Sequence, residues 1–285
     1  MIKIINYFFQ SIFIYLFFFI GKILGLKLSR KIFSVLFSVV GPLFKSKKII
    51  KKNLDIFSHN SSSIEKKKII SSMWKNYGMT FIEYVFLNYF HKKDSEVSLY
   101  NAENLFETLK NKKPVIFVSG HFANFELMSM EITKKHISLA TIYRPLNNIF
   151  LNPFMEYLRR KYICKNQIKK GLNGVREAIE FIKKNYCIAL MIDQRVSEGE
   201  RISFFKESAL TSTLPAQLSM KYDIDIVPVY IERTEDNKFK IEFLEKINPK
   251  DFTNKKDLTE KLNKVLEEMI SRNPGQWIWT HDRWK

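Results

Sequence analysis

The chain has 285 residues, enough for one large α/β domain with a substantial core or for two small domains at most. A hydrophobic content of 46% and only nine glycines exclude a disordered chain. The two cysteines, Cys164 and Cys187, lack the spacing of a disulfide framework or a zinc site, so we expect a reducing, cytosolic environment. The formal net charge of +18 indicates anionic partners, namely nucleic acid, anionic lipid or an acidic protein. An AT-rich genome would also enrich the chain in lysine, so the charge alone does not decide between them.

Residues 4–21 contain no charged residue and are dominated by phenylalanine, isoleucine and leucine. As a helix they would extend over roughly 27 Å, close to the thickness of one hydrocarbon core. The segment therefore predicts an uncleaved membrane anchor, and a helix lying in the membrane interface is the main alternative. A cleavable signal peptide fits less well, because only Lys3 precedes the apolar run and no small-x-small site follows it.

Basic residues collect after this apolar run. By the positive-inside rule they predict that everything downstream stays in the cytoplasm, and they would also hold the chain against anionic headgroups. They are Lys22, Lys27, Arg30, Lys31, Lys45, Lys47, Lys48, Lys51 and Lys52.

Three further helices are predicted before the first strand. Residues 31–44 predict an apolar helix against the membrane or the core, ending near Gly41 and Pro42. Residues 46–59 and 64–91 predict amphipathic helices, and the aromatic stripe of the second is typical of core packing.

Strands and helices alternate in the rest of the chain. This order predicts an α/β fold with a mostly parallel central sheet flanked by helices, preceded by the amino-terminal membrane helix. We divide the chain into an anchor with an interfacial helix, residues 1–45, and a cytosolic domain, residues 46–285. Strands are predicted at 114–119, 139–143, 187–192, 226–232 and 239–243. Helices are predicted at 102–111, 124–136, 149–162, 171–184, 211–222 and 255–272.

The most informative passage runs from Pro114 to Glu126. A buried apolar strand leads into a Ser-Gly turn with His121, and Glu126 follows on the first turn of a helix. A histidine with a carboxylate behind it is the minimal general-base pair, in which Glu126 would reach one ring nitrogen while the other takes a proton. The alternative is a structural histidine, with Glu126 offsetting the helix dipole. The spacing is not that of a zinc motif, so no metal is expected.

Polar residues also follow two other predicted strands. Arg144 comes after residues 139–143, and Asp193 with Arg195 comes after residues 187–192. The carboxyl ends of parallel strands converge on one edge of a sheet, so we expect these side chains near His121. The chain has no G-x-S-x-G nucleophile elbow, which implies that the substrate supplies the attacking hydroxyl.

These motifs together resemble the lipid A biosynthesis acyltransferases, the late or secondary enzymes that add acyl chains to Kdo-bearing lipid A precursors. The resemblance covers nearly the whole chain. Its H-x4-D/E motif is shared with glycerolipid acyltransferases, so it implies a glycerol-phosphate acyltransferase-like fold. The matching motifs are SGHFANFE at 119–126, IYRP at 142–145, LMIDQR at 190–195, the Phe204-Phe205 pair, TSTLPA at 211–216 and the ending QWIWTHDRWK at 276–285.

The resemblance implies transfer of a fatty acyl group from acyl carrier protein to a hydroxyl of the lipid A precursor. His121 would be the general base and Glu126 its partner. Arg144 would bind a phosphate or the oxyanion, and Asp193 would be a further site residue. Substrate-binding roles are also expected for Asn124 and Arg195. The chain departs from many relatives at Lys206, where they have a small residue after the paired phenylalanines.

The implied partners are acyl carrier protein, the anionic lipid A precursor and the inner membrane, with the catalytic domain on its cytoplasmic face. No cofactor is expected, because the thioester already carries the activation. Two alternatives stay open: an acyltransferase of the same fold acting on a glycerophospholipid or another glycolipid, and a non-enzymatic, membrane-anchored basic binding protein. Nucleic acid is not expected as a partner, since aromatic residues are not interleaved with basic ones as in a stacking platform.

Overall fold

The computed structural model describes residues 2–59, 61–93, 96–110 and 113–285, with the side chain of Phe44 excepted. Its centre is a seven-stranded sheet in the order β1-β9-β8-β2-β5-β3-β4, beside a separate two-stranded hairpin, β6-β7. The pairing of β8 with β9 is antiparallel, and the other pairs in the large sheet are parallel. The strands are β1 Val97–Tyr100, β2 Ile116–Ser119, β3 Leu139–Tyr143, β4 Asn166–Lys169, β5 Cys187–Met191, β6 Glu200–Phe204, β7 Glu207–Thr211, β8 Ile226–Arg233 and β9 Phe239–Phe243.

The centre of the sheet is buried on both faces. All four residues of β2 are buried, as are the first four of β5, which explains why these strands are continuous apolar runs without polar alternation. The five predicted strands correspond to β2, β3, β5, β8 and β9. The short β1 and β4 were not predicted because neither has an apolar run, and the β6-β7 hairpin was also missed. The predicted α/β fold with a mostly parallel, helix-flanked sheet is confirmed.

The β6-β7 hairpin places Lys206, the position where the chain departs from many relatives, in its two-residue turn. Phe204 pairs with Glu207, and both turn residues, Phe205 and Lys206, have positive φ of 51° and 63°. Positive φ at both central positions is the geometry of a type I′ turn, which matches the twist of the flanking strands.

Ten helices are found in the described part of the chain. Their bounds are α1 Ile2–Phe44, α2 Lys47–Phe57, α3 Ser63–Glu83, α4 Leu87–Lys92, α5 Ala102–Leu109, α6 Glu126–Lys134, α7 Asn152–Tyr162, α8 Leu172–Lys183, α9 Leu214–Tyr222 and α10 Lys255–Arg272. The predicted helix 64–91 is divided between α3 and α4 by a 3₁₀ turn at Tyr84–Phe86. The helix predicted at 102–111 ends at Leu109, and its last predicted position, Asn111, lies outside the described residues.

The long α1 is bent back on itself. Gly25 has φ 75° and ψ 166°, a conformation that breaks the helix and suits glycine. Beyond it, the hydroxyl of Ser29 donates to the carbonyl of Gly21 at 2.8 Å, and the rings of Phe17 and Phe33 lie 5.7 Å apart. Sixteen residues of straight helix would separate those rings by about 24 Å. The element is therefore a helical hairpin with a first arm, residues 2–24, and a second arm, residues 26–44.

This hairpin corrects the predicted ends of the amino-terminal helices. The predicted anchor, residues 4–21, is helical but forms only part of the first arm, and the helix predicted at 31–44 belongs to the second arm, which runs through Pro42. By length and composition, α1 is the one helix of the described chain that is apolar enough to cross a membrane. The domain division near residue 45 stays a prediction; the break between α1 and α2 falls beside it.

A buried ion cluster ties the hairpin to the sheet. Glu83, at the end of α3, is fully buried and accepts hydrogen bonds from Arg30 of the second arm at 2.6 Å and from Arg233 of β8 at 3.0 Å. The amide of Asn124 also donates to Glu83, at 3.0 Å. One carboxylate thus joins the hairpin, α3, the sheet and the turn that follows β2.

Candidate active site

The turn after β2 is held tightly on both sides. The amide of Phe122 donates to the carbonyl of Gly120 at 2.8 Å, and a Cβ on Gly120 would meet the Phe122 ring at 2.8 Å. Ala123 has a positive φ of 44°, and its carbonyl accepts a hydrogen bond from the hydroxyl of Thr80 in α3 at 2.9 Å. These contacts fix the backbone that presents His121 before α6 begins.

His121 and Asp193 form a hydrogen-bonded pair. Nδ1 of His121 lies 2.7 Å from Oδ1 of Asp193, and the backbone amide of His121 donates to Oδ2 at 2.8 Å. The register of the sheet explains the pairing. Ser119 of β2 lies opposite Met191 of β5, and His121 and Asp193 each follow two residues later. The predicted meeting of strand ends therefore occurs for these two residues.

The surroundings of this pair shift the pKa values of both groups. Burial lowers the pKa of the His121 imidazole, but the charge and hydrogen bond of Asp193 outweigh it and hold that pKa above its ordinary value. Burial raises the pKa of the Asp193 carboxyl, but His121 and the hydrogen bond from Nε1 of Trp277, at 2.9 Å, outweigh burial and hold that pKa below its ordinary value. An ionised Asp193 only accepts, so Nδ1 of His121 carries the hydrogen between them.

Glu126 does not hold the ring as predicted. Its Oε1 accepts hydrogen bonds from the hydroxyl of Tyr84 at 2.5 Å and from Nε of Arg159 at 2.8 Å. Nδ1 of His121 is already taken by Asp193, and Glu126, at the first position of α6, is directed toward α7. The expected pairing of His121 with Glu126 is thus replaced by two adjacent pairs, His121 with Asp193 and Glu126 with Arg159.

Arg159 lies in the wall of the candidate site but was not predicted from the sequence. It lies in the run Arg159–Lys161 of α7, which looks like an ordinary solvated basic stretch. The signal in the sequence was its spacing, because Arg159 comes four residues after Met155 and directly after Leu158, on the apolar side of the helix. All three residues are buried. Its NH1 is buried without a hydrogen-bond partner among the described residues.

A pocket of about 490 Å³ opens beside these groups at the carboxyl ends of β3 and β5. His121, Glu126 and Arg159 lie in its wall, which is otherwise largely apolar. Its apolar wall residues include Met128, Ile142, Ile163, Ala189, Leu190 and Leu214.

Two cations mark another part of the pocket wall. The predicted Arg144 is there, at the end of β3 and exposed, together with Lys170 from the end of β4. Burial, and then the nearby charge of Arg144, lower the pKa of the Lys170 ammonium. Two cations that repel each other in this way form a place that favours an anion.

The other two predicted substrate-binding residues are not found in the pocket wall. Asn124 is 1% exposed, and its amide is bound to Glu83. Arg195 contributes its backbone amide, which donates to Nε2 of His281 at 2.9 Å. Both residues support the loops around the site, and neither lines the pocket among the described residues.

The tryptophan-rich ending packs into the core. Trp277, Trp279 and Trp284 are buried, and their indole N–H groups donate to Asp193, to the carbonyl of Pro274 and to the carbonyl of Phe204. Arg283, also buried, donates to the hydroxyl of Thr211 at 2.7 Å. The carboxyl terminus thus supports the site from behind, through the indole of Trp277 on Asp193.

Comparison with known proteins identifies a family that the sequence matches. Residues 2–285 match the family described as bacterial lipid A biosynthesis acyltransferase. The chain is 25% identical over 251 residues to the lipid A biosynthesis palmitoleoyltransferase of Escherichia coli (strain K12), covering 85% of this chain and 80% of the relative. It is 22% identical over 246 residues to the lipid A biosynthesis lauroyltransferase of the same organism, covering 84% and 78%.

Among solved structures, the chain resembles the 1-acyl-sn-glycerophosphate (LPA) acyltransferase PlsC from Thermotoga maritima. The TM-score is 0.41 and the identity 15%, over 87% of this chain and 99% of that one. The family match spans nearly all of the sequence. The chain therefore belongs to the bacterial lipid A biosynthesis acyltransferase family, and with it to the acyltransferase class of enzymes.

Proposed function

We propose that this protein transfers a fatty acyl group from acyl carrier protein to a hydroxyl of a Kdo-bearing lipid A precursor. The observation that carries the proposal is the hydrogen bond between His121, in the wall of a largely apolar pocket of about 490 Å³, and Asp193, which is buried behind it. A base without a protein nucleophile suits attack by a hydroxyl of the substrate, and apolar walls suit an acyl chain.

The reaction follows from the tautomer of His121. With its hydrogen on Nδ1 and directed to Asp193, Nε2 takes the proton of the acceptor hydroxyl. The hydroxyl oxygen bonds to the thioester carbonyl carbon, and the tetrahedral intermediate expels the thiolate as the carbon–sulfur bond breaks. The imidazolium returns the proton to the thiolate. Between these two proton transfers Asp193 stabilises the imidazolium. We therefore assign to Asp193 the role of partner to the general base, which the sequence predicted for Glu126.

Glu126 acts through Arg159 in this account. It orients the guanidinium and balances its charge, leaving NH1 as a buried donor beside the pocket. Such a preorganised cation would stabilise the oxyanion of the tetrahedral intermediate. Arg144, with Lys170 beside it in the pocket wall, would bind a phosphate of the acceptor.

The partners and location follow from charge and composition. A net charge of +18 fits two acidic clients, acyl carrier protein and the phosphorylated lipid. The apolar amino-terminal hairpin would hold the enzyme at the inner membrane with its catalytic domain on the cytoplasmic face. No cofactor is required, because the thioester supplies the energy of transfer.

The acceptor is tested by assaying the purified full-length enzyme with acyl carrier protein thioesters. A Kdo-bearing lipid A precursor and a lysophospholipid are offered in separate reactions, and mass spectrometry detects the acylated product. We expect the lipid A precursor alone to be acylated. Acylation of the lysophospholipid but not of the precursor would contradict the proposal. It would instead support an acyltransferase of glycerophospholipids.

A further inference from the structure

The amino-terminal hairpin packs on the domain over most of the length of its first arm, from Tyr7 onward. The side facing the domain is formed by residues spaced alternately four and three apart, the spacing of one helix face. These residues, all buried or half-buried, are Tyr7, Ser11, Ile14, Phe18 and Gly21. A helix crossing a bilayer alone would contact its domain only near one end.

Polar contacts with the domain are spread along this arm from Tyr7 to Lys22. The carbonyl of Tyr7 accepts from the amide of Asn148 at 2.8 Å, and the hydroxyl of Tyr15 donates to the carbonyl of Phe150 at 2.8 Å. Lys22 donates to the carbonyl of Val85 at 3.1 Å. Tyr7 and Lys22 are about 22 Å apart along the helix. If the arm crossed the bilayer, the irregular loop that contains Asn148 and Phe150 would lie in hydrocarbon, which its backbone polar groups disfavour.

Large hydrophobic side chains are exposed on both arms of the hairpin. We call the large exposed hydrophobic residues of the hairpin the apolar face. On the first arm they are Ile2, Ile4, Ile5, Phe8, Phe9, Ile12, Phe13, Tyr15, Leu16, Phe19, Ile20 and Ile23. On the second arm they are Leu28, Ile32, Val35, Val39 and Leu43. A continuous surface of this size on a folded protein marks a site of contact with a membrane or a partner.

The apolar face continues onto the loop beside the pocket. This loop, residues 144–151, joins β3 to α7 and exposes Leu146, Ile149 and Phe150. Phe150 packs on Phe8 of the first arm with ring centroids 5.5 Å apart. Leu146 also lines the pocket that contains His121. One surface therefore runs from the hairpin to the wall of the pocket.

The charges around the apolar face fit an anionic bilayer. Lys3 stands near one end of the first arm, and Lys22, Lys27 and Lys31 flank the bend at Gly25. All four lysines are exposed. Lysines at both ends of an arm remain at headgroup level when the arm lies in the membrane plane, whereas a crossing arm would send Lys3 to the far side. Lysines placed this way attract anionic headgroups.

We propose that the hairpin lies in the plane of one leaflet of an anionic bilayer instead of crossing it, so that the lipid acceptor reaches the pocket from within that leaflet along loop 144–151. The lipid-entry part rests on the proposed function. The in-plane part does not, because it concerns the hairpin alone.

Depth of insertion tests the in-plane part. An Ile12→Cys variant of the full-length protein is labelled with an environment-sensitive fluorophore and placed in vesicles containing phosphatidylglycerol. The native Cys164 and Cys187 are buried, and the unmodified protein measures their background. Quenching by lipids with a nitroxide near the headgroup is expected to exceed quenching by lipids with one near the chain end. The reverse order would place residue 12 at the bilayer centre, as in a crossing helix, and would overturn the proposal. Cross-linking of Ile12→Cys between two copies would also overturn it, since a second copy would then cover the face.

Sidedness gives an independent check. Lys3→Cys and, as the control, Lys285→Cys are treated with a membrane-impermeant maleimide in inverted inner-membrane vesicles and in spheroplasts. Both variants are expected to react in inverted vesicles and neither in spheroplasts. Reaction of Lys3→Cys from the outside of spheroplasts would contradict the in-plane hairpin. Neither labelling result depends on enzymatic activity, so failure of the proposed function would leave this test intact.

Lipid entry is tested with Ile149→Lys and a matched control, Phe106→Lys, on α5 beside the opposite edge of the sheet. Both residues are exposed hydrophobics. With the acceptor presented in vesicles, Ile149→Lys is expected to raise KM about tenfold, as for loss of one buried aliphatic side chain, while kcat stays unchanged. Phe106→Lys should change neither. Equal effects of the two substitutions, or none from Ile149→Lys, would overturn entry along this loop.

Discussion

Nδ1 of His121 lies 2.7 Å from Oδ1 of Asp193 because the two residues hold equivalent positions after neighbouring parallel strands. His121 comes two residues after Ser119 of β2, and Asp193 comes two residues after Met191 of β5, which lies opposite Ser119. The same carboxylate accepts the backbone amide of His121 and the indole of Trp277. Asp193 therefore fixes both the backbone and the ring of the residue to which we assign proton transfer.

The Asp193→Asn substitution should lower kcat by roughly 10²- to 10⁴-fold, because an amide cannot stabilise the imidazolium and favours the wrong tautomer of His121. Steady-state acyl transfer by the purified variant measures the effect. Asp282→Asn, which changes a partly exposed carboxylate in an ion pair with Lys52, is the control. A variant at Asp193 that folds and keeps more than about a tenth of the activity would show that the pair is structural.

The pairing of Glu126 with Arg159 predicts a coupled effect. Arg159→Lys loses the two-nitrogen contact with Glu126 and should lower kcat/KM by about 10²-fold, as should Glu126→Gln. The double variant should be little worse than either single one, since both remove the same positioned cation. Strictly multiplicative losses would indicate that the two residues act independently.

The raised pKa of His121 predicts the acid side of the pH profile. A general base works only when deprotonated, so kcat/KM should fall as pH drops through the pKa of His121, at a pH above the ordinary value for histidine. In Asp193→Asn, burial still lowers the pKa of His121, but the carboxylate charge that raises it is gone. The fall in kcat/KM should therefore occur at a lower pH. A fall at the same pH in both enzymes would assign the titration to another group.

The cluster around Glu83 predicts a loss of stability. Glu83→Gln would leave Arg30 and Arg233 buried without their counter-charge, which should lower the free energy of unfolding by about 3–5 kcal/mol. Denaturant unfolding in detergent micelles measures it. Glu107→Gln, in an exposed pair with Lys110, should cost less than about 1 kcal/mol. Comparable losses at the two positions would contradict the importance of the buried cluster.

The stability that Glu83 contributes also depends on pH. Burial raises the pKa of its carboxyl, but Arg233 and Arg30 outweigh burial and hold that pKa below its ordinary value. Because the pKa of the Glu83 carboxyl is lower in the folded than in the unfolded protein, the ionised carboxylate stabilises the folded state at pH values above the unfolded-state pKa. This contribution is lost as the pH falls through the folded-state pKa. The difference between the native protein and Glu83→Gln should therefore shrink on acidification over that range.

The sequence predicted the elements whose signal is local. Continuous apolar runs revealed the central strands, and the convergence of strand ends brought Asp193 to His121. Which carboxylate pairs with the ring was not readable, because Glu126 is near in sequence while Asp193 is near only through the register of β2 and β5. Arg159 was hidden in a basic run, since its burial depends on how α7 packs. The sequence predicted separate helices on either side of Gly25, but not that they fold back on each other, because that contact depends on packing between residues distant in sequence.

We propose that His121 is the general base of acyl transfer from acyl carrier protein to a lipid A precursor. The most direct measurement compares the native enzyme with His121→Ala in that reaction, with membrane binding and folding checked for both. We expect acylated precursor from the native enzyme and a rate at least about 10²-fold lower from the variant. A folded, membrane-bound His121→Ala with full activity would contradict it.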